Sequence, residues 1–74
     1  MDFSYDKQIG ERVRALRLSK GWSQEQLAAK LQTGGCDVTR SGVAKLEVGQ
    51  RHFYAKELAV LKKIFRISYD DLLN

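Results

Sequence analysis

The side chains capable of nucleophilic, acid–base or metal chemistry are few and poorly spaced for catalysis. A cysteine nucleophile requires a nearby base, but a predicted helix separates Cys36 from the single histidine, His52, and the spacing implies no third group to orient them. One cysteine and one histidine also fall short of the usual zinc ligand set. Asp70 and Asp71 are adjacent at a predicted helix start, so their carboxylates diverge and suit capping better than paired acid–base catalysis. We therefore expect neither an enzyme nor a metal or cofactor site.

A second group of polar side chains has a different chemistry. Arg40, Ser41 and Lys45 lie on one face of a short predicted helix that opens at Thr39. Each of the three side chains can donate hydrogen bonds. The helix amino terminus adds unpaired backbone N–H groups that carry a partial positive charge. This pattern predicts a nucleic-acid-binding helix over residues 39–47.

The composition agrees with that prediction. The 74-residue chain has 13 Lys and Arg against 9 Asp and Glu, and its formal net charge of +4 favours an acidic partner. Hydrophobic residues at 43% and charged residues at 30% are typical of a soluble globular protein. The lone cysteine excludes an internal disulfide. Since no segment has the features of a membrane span or a signal peptide, we expect one cytoplasmic domain, residues 1–74, without a membrane partner.

The elements that position these side chains are predicted to be helices. Prolines are absent, the six glycines fall mostly between periodic segments, and apolar residues recur at spacings of three and four. The predicted helices span about residues 6–19, 23–31, 39–47, 54–65 and 69–73. We therefore expect an all-α fold.

Capping residues predict where three of these helices begin. Ser23 and Gln26 are spaced for a capping box, in which each side chain bonds the backbone N–H of the other residue. Ser68 and Asp71 have the same spacing. Thr39 is also a suitable cap, but the residue three positions later is a glycine and cannot return the bond. Each cap contributes roughly 1 kcal/mol.

A longer pattern connects the second and third helices. Its residues are Ser23 and Gln24 at the second helix start, Ala28 at the helix crossing, Val43 and Leu46 in the core of the third helix, and Glu47 and Gly49 at its end. The flanking segments IGERVRALRLSKGWSQEQLA and ISYDDLL extend the pattern over about residues 8–73. It resembles the lambda-repressor-like, Cro/C1-type (XRE family) helix-turn-helix regulators of bacteria and phages. The resemblance implies a compact five-helix domain in which helices 2 and 3 form the helix-turn-helix.

The same resemblance implies roles for individual residues. Base-reading positions correspond to Arg40, Ser41 and Lys45, and Arg or Lys most often contacts guanine. Phosphate contacts are implied for Ser23, Gln24, Thr39, Gln50, Arg51 and His52. Arg17 and Glu47 match an ion pair that bridges the first and third helices. Candidates for a dimer interface are Ile64, Tyr69, Leu72 and Leu73, with core burial as the competing assignment for Leu72.

The function implied by the resemblance is sequence-specific regulation of transcription. We expect a repressor that binds double-stranded DNA as a homodimer, with the two copies of helix 39–47 about 34 Å apart in successive major grooves. No small-molecule ligand is implied. An alternative from another functional class is an antitoxin or adaptor that uses the same fold to bind a protein.

Three features depart from the pattern of the family. About five inserted residues, 32–36, precede the third helix and would either lengthen the second helix or form a solvent loop, and we favour the loop, with Cys36 an incidental thiol. Gly42 lies in the first turn of the third helix, where glycine costs roughly 1 kcal/mol relative to alanine. Close approach to DNA and simple tolerance explain it equally well. Arg66 replaces a helix-ending glycine, and its side chain is expected to bond the last carbonyls.

Overall fold

The computed structural model describes residues 4–74, which form five helices and no strands. The helices are α1 (Ser4–Ser19), α2 (Gln24–Thr33), α3 (Arg40–Glu47), α4 (Ala55–Phe65) and α5 (Tyr69–Leu73). This confirms the predicted all-α fold, although α1 begins two residues earlier and α2 ends two residues later than predicted. Within residues 4–74, no helix combines the length and apolar character needed to cross a membrane.

The predicted caps are formed, one of them only in part. Ser23 Oγ accepts the Gln26 N–H at 3.0 Å, and Gln26 Oε1 accepts the Ser23 N–H at 2.8 Å. The Thr39 hydroxyl accepts the N–H three residues later at 3.1 Å. At α5, Ser68 Oγ accepts the Asp71 N–H at 3.1 Å, which is one half of the predicted box. Local side-chain chemistry therefore sets the starts of α2, α3 and α5.

The core lies where α3 packs against both α1 and α2, and it continues to α4 and α5. α4 packs on α2, while α5 packs against α1 and α4. The buried apolar residues are Ile9, Val13, Leu27, Ala28, Leu31, Cys36, Val38, Val43, Leu46, Leu61, Phe65 and Leu72. Each helix contributes to this set, so α3 is held in place by the whole domain.

The connection between α2 and α3 corrects the prediction of a solvent loop in part, because residues 32–35 are exposed but α2 is lengthened and Cys36 is buried. α2 continues through Thr33, and Gly35 then turns the chain with a φ of 92°. Cys36 is 5% exposed and Val38 is 1% exposed, so both side chains enter the core. Gln32 Nε2 closes the turn by donating to the Val38 carbonyl at 2.9 Å. The description of Cys36 as an incidental loop thiol is therefore wrong, because its side chain fills core space.

Two glycines permit close contacts between helices. A Cβ atom at Gly10 would lie 2.1 Å from the Leu46 carbonyl oxygen, because α1 passes against the end of α3. A Cβ at Gly34 would lie 2.5 Å from Val60 Cγ1 of α4. Since the Leu46 oxygen belongs to the backbone, a larger residue at position 10 would force α1 and α3 apart.

The end of α4 also differs from the prediction. Arg66 adopts the left-handed conformation, with φ 55° and ψ 49°. Its backbone N–H donates to the Lys63 carbonyl at 3.3 Å, and the Ile67 N–H donates to the Lys62 carbonyl at 3.2 Å. The backbone thus closes the helix as glycine would. The Arg66 side chain, which was expected to perform this task, is exposed instead.

Candidate nucleic-acid interface

α3 presents its polar face to solvent because its apolar face is buried. Val43 and Leu46 are each 1% exposed and anchor the helix in the core. Arg40, Ser41 and Lys45 are all exposed. Their side chains form no hydrogen bond or ion pair with any other residue in the described range 4–74. The three predicted base-reading residues are therefore brought together with their donors available.

The start of α3 adds backbone donors beside these side chains. Thr39 satisfies one N–H of the first turn, that of Gly42. The N–H groups of Arg40 and Ser41 precede the first residue that can bond within the helix, so they point out of the helix end. A Cβ at Gly42 would lie 3.0 Å from Val38 Cγ1, so core packing supplies a reason for this glycine that neither sequence-based explanation contained.

A buried ion pair fixes the other end of α3. Arg17 Nε donates to Glu47 Oε2 at 2.6 Å, and a second Arg17 nitrogen donates to Oε1 at 3.0 Å. The side chains are only 8% and 1% exposed. The hydrogen bond to Glu47 raises the pKa of the Arg17 guanidinium, against the opposing effect of burial. The predicted bridge between α1 and α3 is confirmed.

The same cluster extends to the start of α2. Arg17 Nη1 donates to the Trp22 carbonyl at 2.7 Å, and Gln24 Nε2 donates to Glu47 Oε1 at 3.2 Å. One carboxylate thus ties α1, α2 and α3 together and sets the relative position of the two helices of the motif. The phosphate contact implied for Gln24 stays a prediction, since this half-buried amide already donates within the protein.

Arg51 and His52 also have partners inside the protein. Arg51 forms two hydrogen bonds to the Glu57 carboxylate, at 2.8 and 2.7 Å, and these raise the pKa of Arg51. His52 Nδ1 lies 2.6 Å from Asp6 Oδ2. Side-chain exposures of 26% for Arg51 and 41% for His52 leave part of each surface open. Their implied phosphate contacts stay predictions, and any such contact would add to the contacts already made with Glu57 and Asp6.

The remaining predicted phosphate contacts lie at helix ends and in the loop after α3. Ser23 and Thr39 are exposed, and each hydroxyl accepts a backbone N–H, so its own proton stays available for donation. Gln50 is exposed, and its backbone is held by an N–H donation to the Lys45 carbonyl at 2.9 Å. Thr39 and Gln50 lie before and after α3 in the chain, whereas Ser23 caps α2.

The four candidates for a dimer interface differ in how deeply their side chains are buried. Leu72 is 1% exposed and belongs to the core, which confirms the competing assignment and removes it from the candidates. Ile64 and Leu73 are half-buried against that core. Tyr69 is 44% exposed, and Lys62 Nζ lies 5.0 Å from the centre of its ring. The available apolar surface is therefore small and centred on Tyr69.

Two carboxylates with positioning roles were not identified from the sequence. Glu57 is buried, accepts both bonds from Arg51 and also accepts the Tyr54 N–H at 3.0 Å. Its location three residues after Tyr54, the N-cap of α4, is a capping signal that could have revealed it. Asp6 accepts the Phe53 N–H at 3.0 Å across 47 positions, and no local pattern indicates that contact.

Comparison with known proteins gives the family. A helix-turn-helix family model matches residues 13–72. The chain belongs to the helix-turn-helix family of the XRE type. Among relatives of this family, it is 39% identical over 66 residues to YonR, an uncharacterised HTH-type transcriptional regulator derived from the SPbeta prophage of Bacillus subtilis. It is 31% identical over 67 residues to BcrR, an HTH-type transcriptional activator of Enterococcus faecalis. These alignments cover 89% and 90% of this helix-turn-helix chain but only 56% and 30% of the relatives.

Two solved structures share the whole helix-turn-helix fold. The restriction-modification controller protein C.AhdI from Aeromonas hydrophila matches with a TM-score of 0.79 and 31% identity, over 95% of this chain and 94% of C.AhdI. The DNA-binding domain of BldD matches with a TM-score of 0.78 and 27% identity over 100% of both chains. The order and packing of all five helices are thus shared with known lambda-repressor-like domains.

Proposed function

We propose that this chain is a sequence-specific regulator of transcription that binds double-stranded DNA through α3. The observation that carries the proposal is the exposed face of α3, where Arg40, Ser41 and Lys45 are available while the buried Arg17–Glu47 pair fixes the helix. A rigid helix with available donors suits the major groove, whose base edges present a distinct acceptor pattern for each base pair. The family membership and the relatives named as HTH-type regulators support this proposal.

In this mechanism, α3 lies in the major groove with its amino-terminal end toward the bases. Arg40 is suited to bidentate contact with guanine, and Lys45 and Ser41 donate to neighbouring acceptors. The Ser23 and Thr39 hydroxyls, with the first N–H groups of α2 and α3, face the phosphates. Phosphate contacts supply much of the affinity, whereas base contacts supply the preference for one sequence.

We further propose that the chain acts as a homodimer and represses transcription by covering promoter DNA. A two-fold dimer would place its α3 helices about 34 Å apart on one side of the duplex. The exposed ring of Tyr69, with the partly exposed Ile64 and Leu73, forms the candidate contact between copies. A bacterial or phage-encoded cytoplasmic regulator fits this proposal, since one relative derives from a prophage.

The decisive experiment selects bound fragments from the source genome and then compares variants on the best site. Arg40→Ala should weaken binding to that site by about 1–3 kcal/mol and relax the preference for one base pair. Arg14→Ala is the matched control, because it removes the same charge from an exposed position of α1. Unchanged base preference in Arg40→Ala would show that α3 does not read the site.

Two further measurements test the remaining parts of the proposal. The affinity for the best site should fall steeply with salt, because each neutralised phosphate releases counterions. Sedimentation should detect a dimer on DNA, and a monomer both with and without DNA would remove the two-fold arrangement. If no preferred site exists even at low salt, the protein-binding alternative would replace DNA recognition.

A further inference from the structure

A groove of about 640 Å³ lies apart from the proposed DNA-binding surface. It is formed by the turn between α1 and α2, the outer face of α2 and the end of α4. Its cations are Lys20, Lys30 and Arg66, and its floor includes Trp22, Ala29 and Ile64. No lining residue comes from α3 or from the loop that follows it. An occupant of the groove would therefore leave α3 open.

The rim of the groove carries charge of one sign. Lys20, Lys30 and Arg66 are all exposed, and no acidic residue lines the groove. Grouped cations with no lining carboxylate attract an anionic ligand, and the attraction is strengthened where the ligand excludes water. The proposed mechanism uses none of these three side chains. Their grouping therefore requires a different explanation from DNA reading.

The floor of the groove is apolar, but it offers no free aromatic face. Trp22 stacks on Phe65 with ring centres 5.5 Å apart and an interplanar angle of 24°. Lys30 Nζ lies 4.3 Å from the centre of the Trp22 ring. Because the indole is engaged by both contacts, a stacked nucleobase does not suit the site. The edge of Trp22, together with Ala29 and Ile64, suits an aliphatic side chain.

The backbone at Arg66 has a conformation that disfavours any side chain. Arg66 has a φ of 55°, a left-handed conformation in which a side chain clashes with the backbone and glycine does not. The chain therefore places a guanidinium at the rim of the groove in spite of a local steric cost. The side chain does not cap α4, since the backbone performs that task. A role at the groove gives the arginine a function.

We propose that this groove binds an acidic peptide segment of a partner protein, with an aliphatic residue seated on the floor and carboxylates at the rim. The groove is open, with an apolar floor and cations around it. It therefore matches an extended peptide in which aliphatic and acidic side chains alternate. The complementary charges select the peptide, and the Trp22 edge and Ile64 supply apolar contact. Because α3, Tyr69 and Leu73 all lie outside the groove, the peptide and DNA bind together, and only Ile64 is shared with the candidate contact between copies.

The single tryptophan, Trp22, reports on the groove directly. A short synthetic peptide alternating Glu and Leu is titrated into the full chain while its intrinsic fluorescence is followed. Saturable binding that weakens with salt is expected. The double variant Lys20→Glu/Arg66→Glu should weaken it at least about tenfold, because two attractive rim charges are replaced by two repulsive ones. The matched control, Arg40→Glu/Lys45→Glu, reverses two charges on α3 and should leave peptide affinity within about twofold.

Three outcomes would overturn the proposal. The first is an equal response to an alternating Lys and Leu peptide, which would show that charge does not select the ligand. The second is displacement of the peptide by duplex DNA, which would place the peptide on the α3 surface. The third is loss of a dimer in the double variant, measured by sedimentation without peptide, which would make the groove a contact between copies. Far-UV circular dichroism establishes that the variants fold. DNA binding is measured in a separate assay, so failure of peptide binding is distinguished from failure of DNA recognition by α3.

Discussion

Replacing Arg17 with methionine should destabilise the domain far more than replacing any exposed arginine. Methionine keeps much of the apolar stem but removes the guanidinium, and with it two bonds to Glu47 and one to the Trp22 carbonyl. The Glu47 side chain is 1% exposed, so its carboxylate cannot recover the lost bonds from bulk water. Only the 3.2 Å bond from Gln24 would remain.

The magnitude follows from the burial of both partners. Breaking a buried ion pair by removing one member typically costs about 3–5 kcal/mol, because the other charge is left uncompensated. A 74-residue domain has a free energy of unfolding of roughly 4–11 kcal/mol. Arg17→Met should therefore remove about half of the stability. Because the pKa of Arg17 is raised in the folded protein, this contribution is complete below the usual arginine pKa and is lost only as the pH rises through the raised value.

Urea unfolding followed by circular dichroism measures the effect. Arg14→Met is the matched control on the same helix, and its exposed position predicts a change within about 0.5 kcal/mol. The double variant Arg17→Met/Glu47→Leu removes both charges and should lie within about 1–2 kcal/mol of the parent protein. A cost below about 1 kcal/mol for Arg17→Met would refute the reasoning, since the pair would then behave as a surface salt bridge. The reasoning would also be refuted if the destabilisation of the double variant equalled the sum of the effects of Arg17→Met and Glu47→Leu measured singly.

Three other substitutions have predictable effects. Gly10→Ala should destabilise the domain by more than about 2 kcal/mol, because the new Cβ would lie 2.1 Å from the Leu46 carbonyl oxygen; a neutral result in urea unfolding would show that α1 shifts freely. Arg66→Gly should raise the free energy of unfolding by about 0.5–1 kcal/mol by relieving the left-handed arginine, and a lower melting temperature would contradict this. Arg51→Ala should reduce stability as well as DNA affinity, since it leaves the buried Glu57 carboxylate without its guanidinium; binding loss with unchanged stability would show that Arg51 serves DNA alone.

The prediction for Arg51 shows where sequence reasoning was incomplete. Likeness to the family implied a phosphate contact for Arg51 in the loop after α3. It did not indicate that Glu57, at the start of α4, holds this arginine with two hydrogen bonds. The pairing spans a loop whose path depends on tertiary packing, so no helical spacing predicts it. A loss of DNA binding in Arg51→Ala must therefore be interpreted beside its stability.

The burial of residues in the connection between α2 and α3 was likewise not predictable from local sequence. The composition of this segment, with two glycines, one cysteine and polar neighbours, predicted a solvent loop. Composition of this kind indicates only local conformational preference. Cys36 and Val38 instead close the core, and Gly34 passes against Val60 of α4. The apolar space they fill is created by helices distant in the chain. Its size cannot be obtained from the turn residues themselves.

The sequence by itself determined the helices, their starts and the polar face of α3. These features depend on side-chain periodicity and on hydrogen bonds three residues apart, such as that from the Gln26 N–H to Ser23, which are encoded locally. Likeness to a family added the Arg17–Glu47 bridge. Only the tertiary structure decided which polar groups are engaged, which residues of the long turn are buried, and that a basic groove lies away from α3. Those outcomes depend on burial and on contacts between distant segments, which determine the energetic cost of each charge and each cavity.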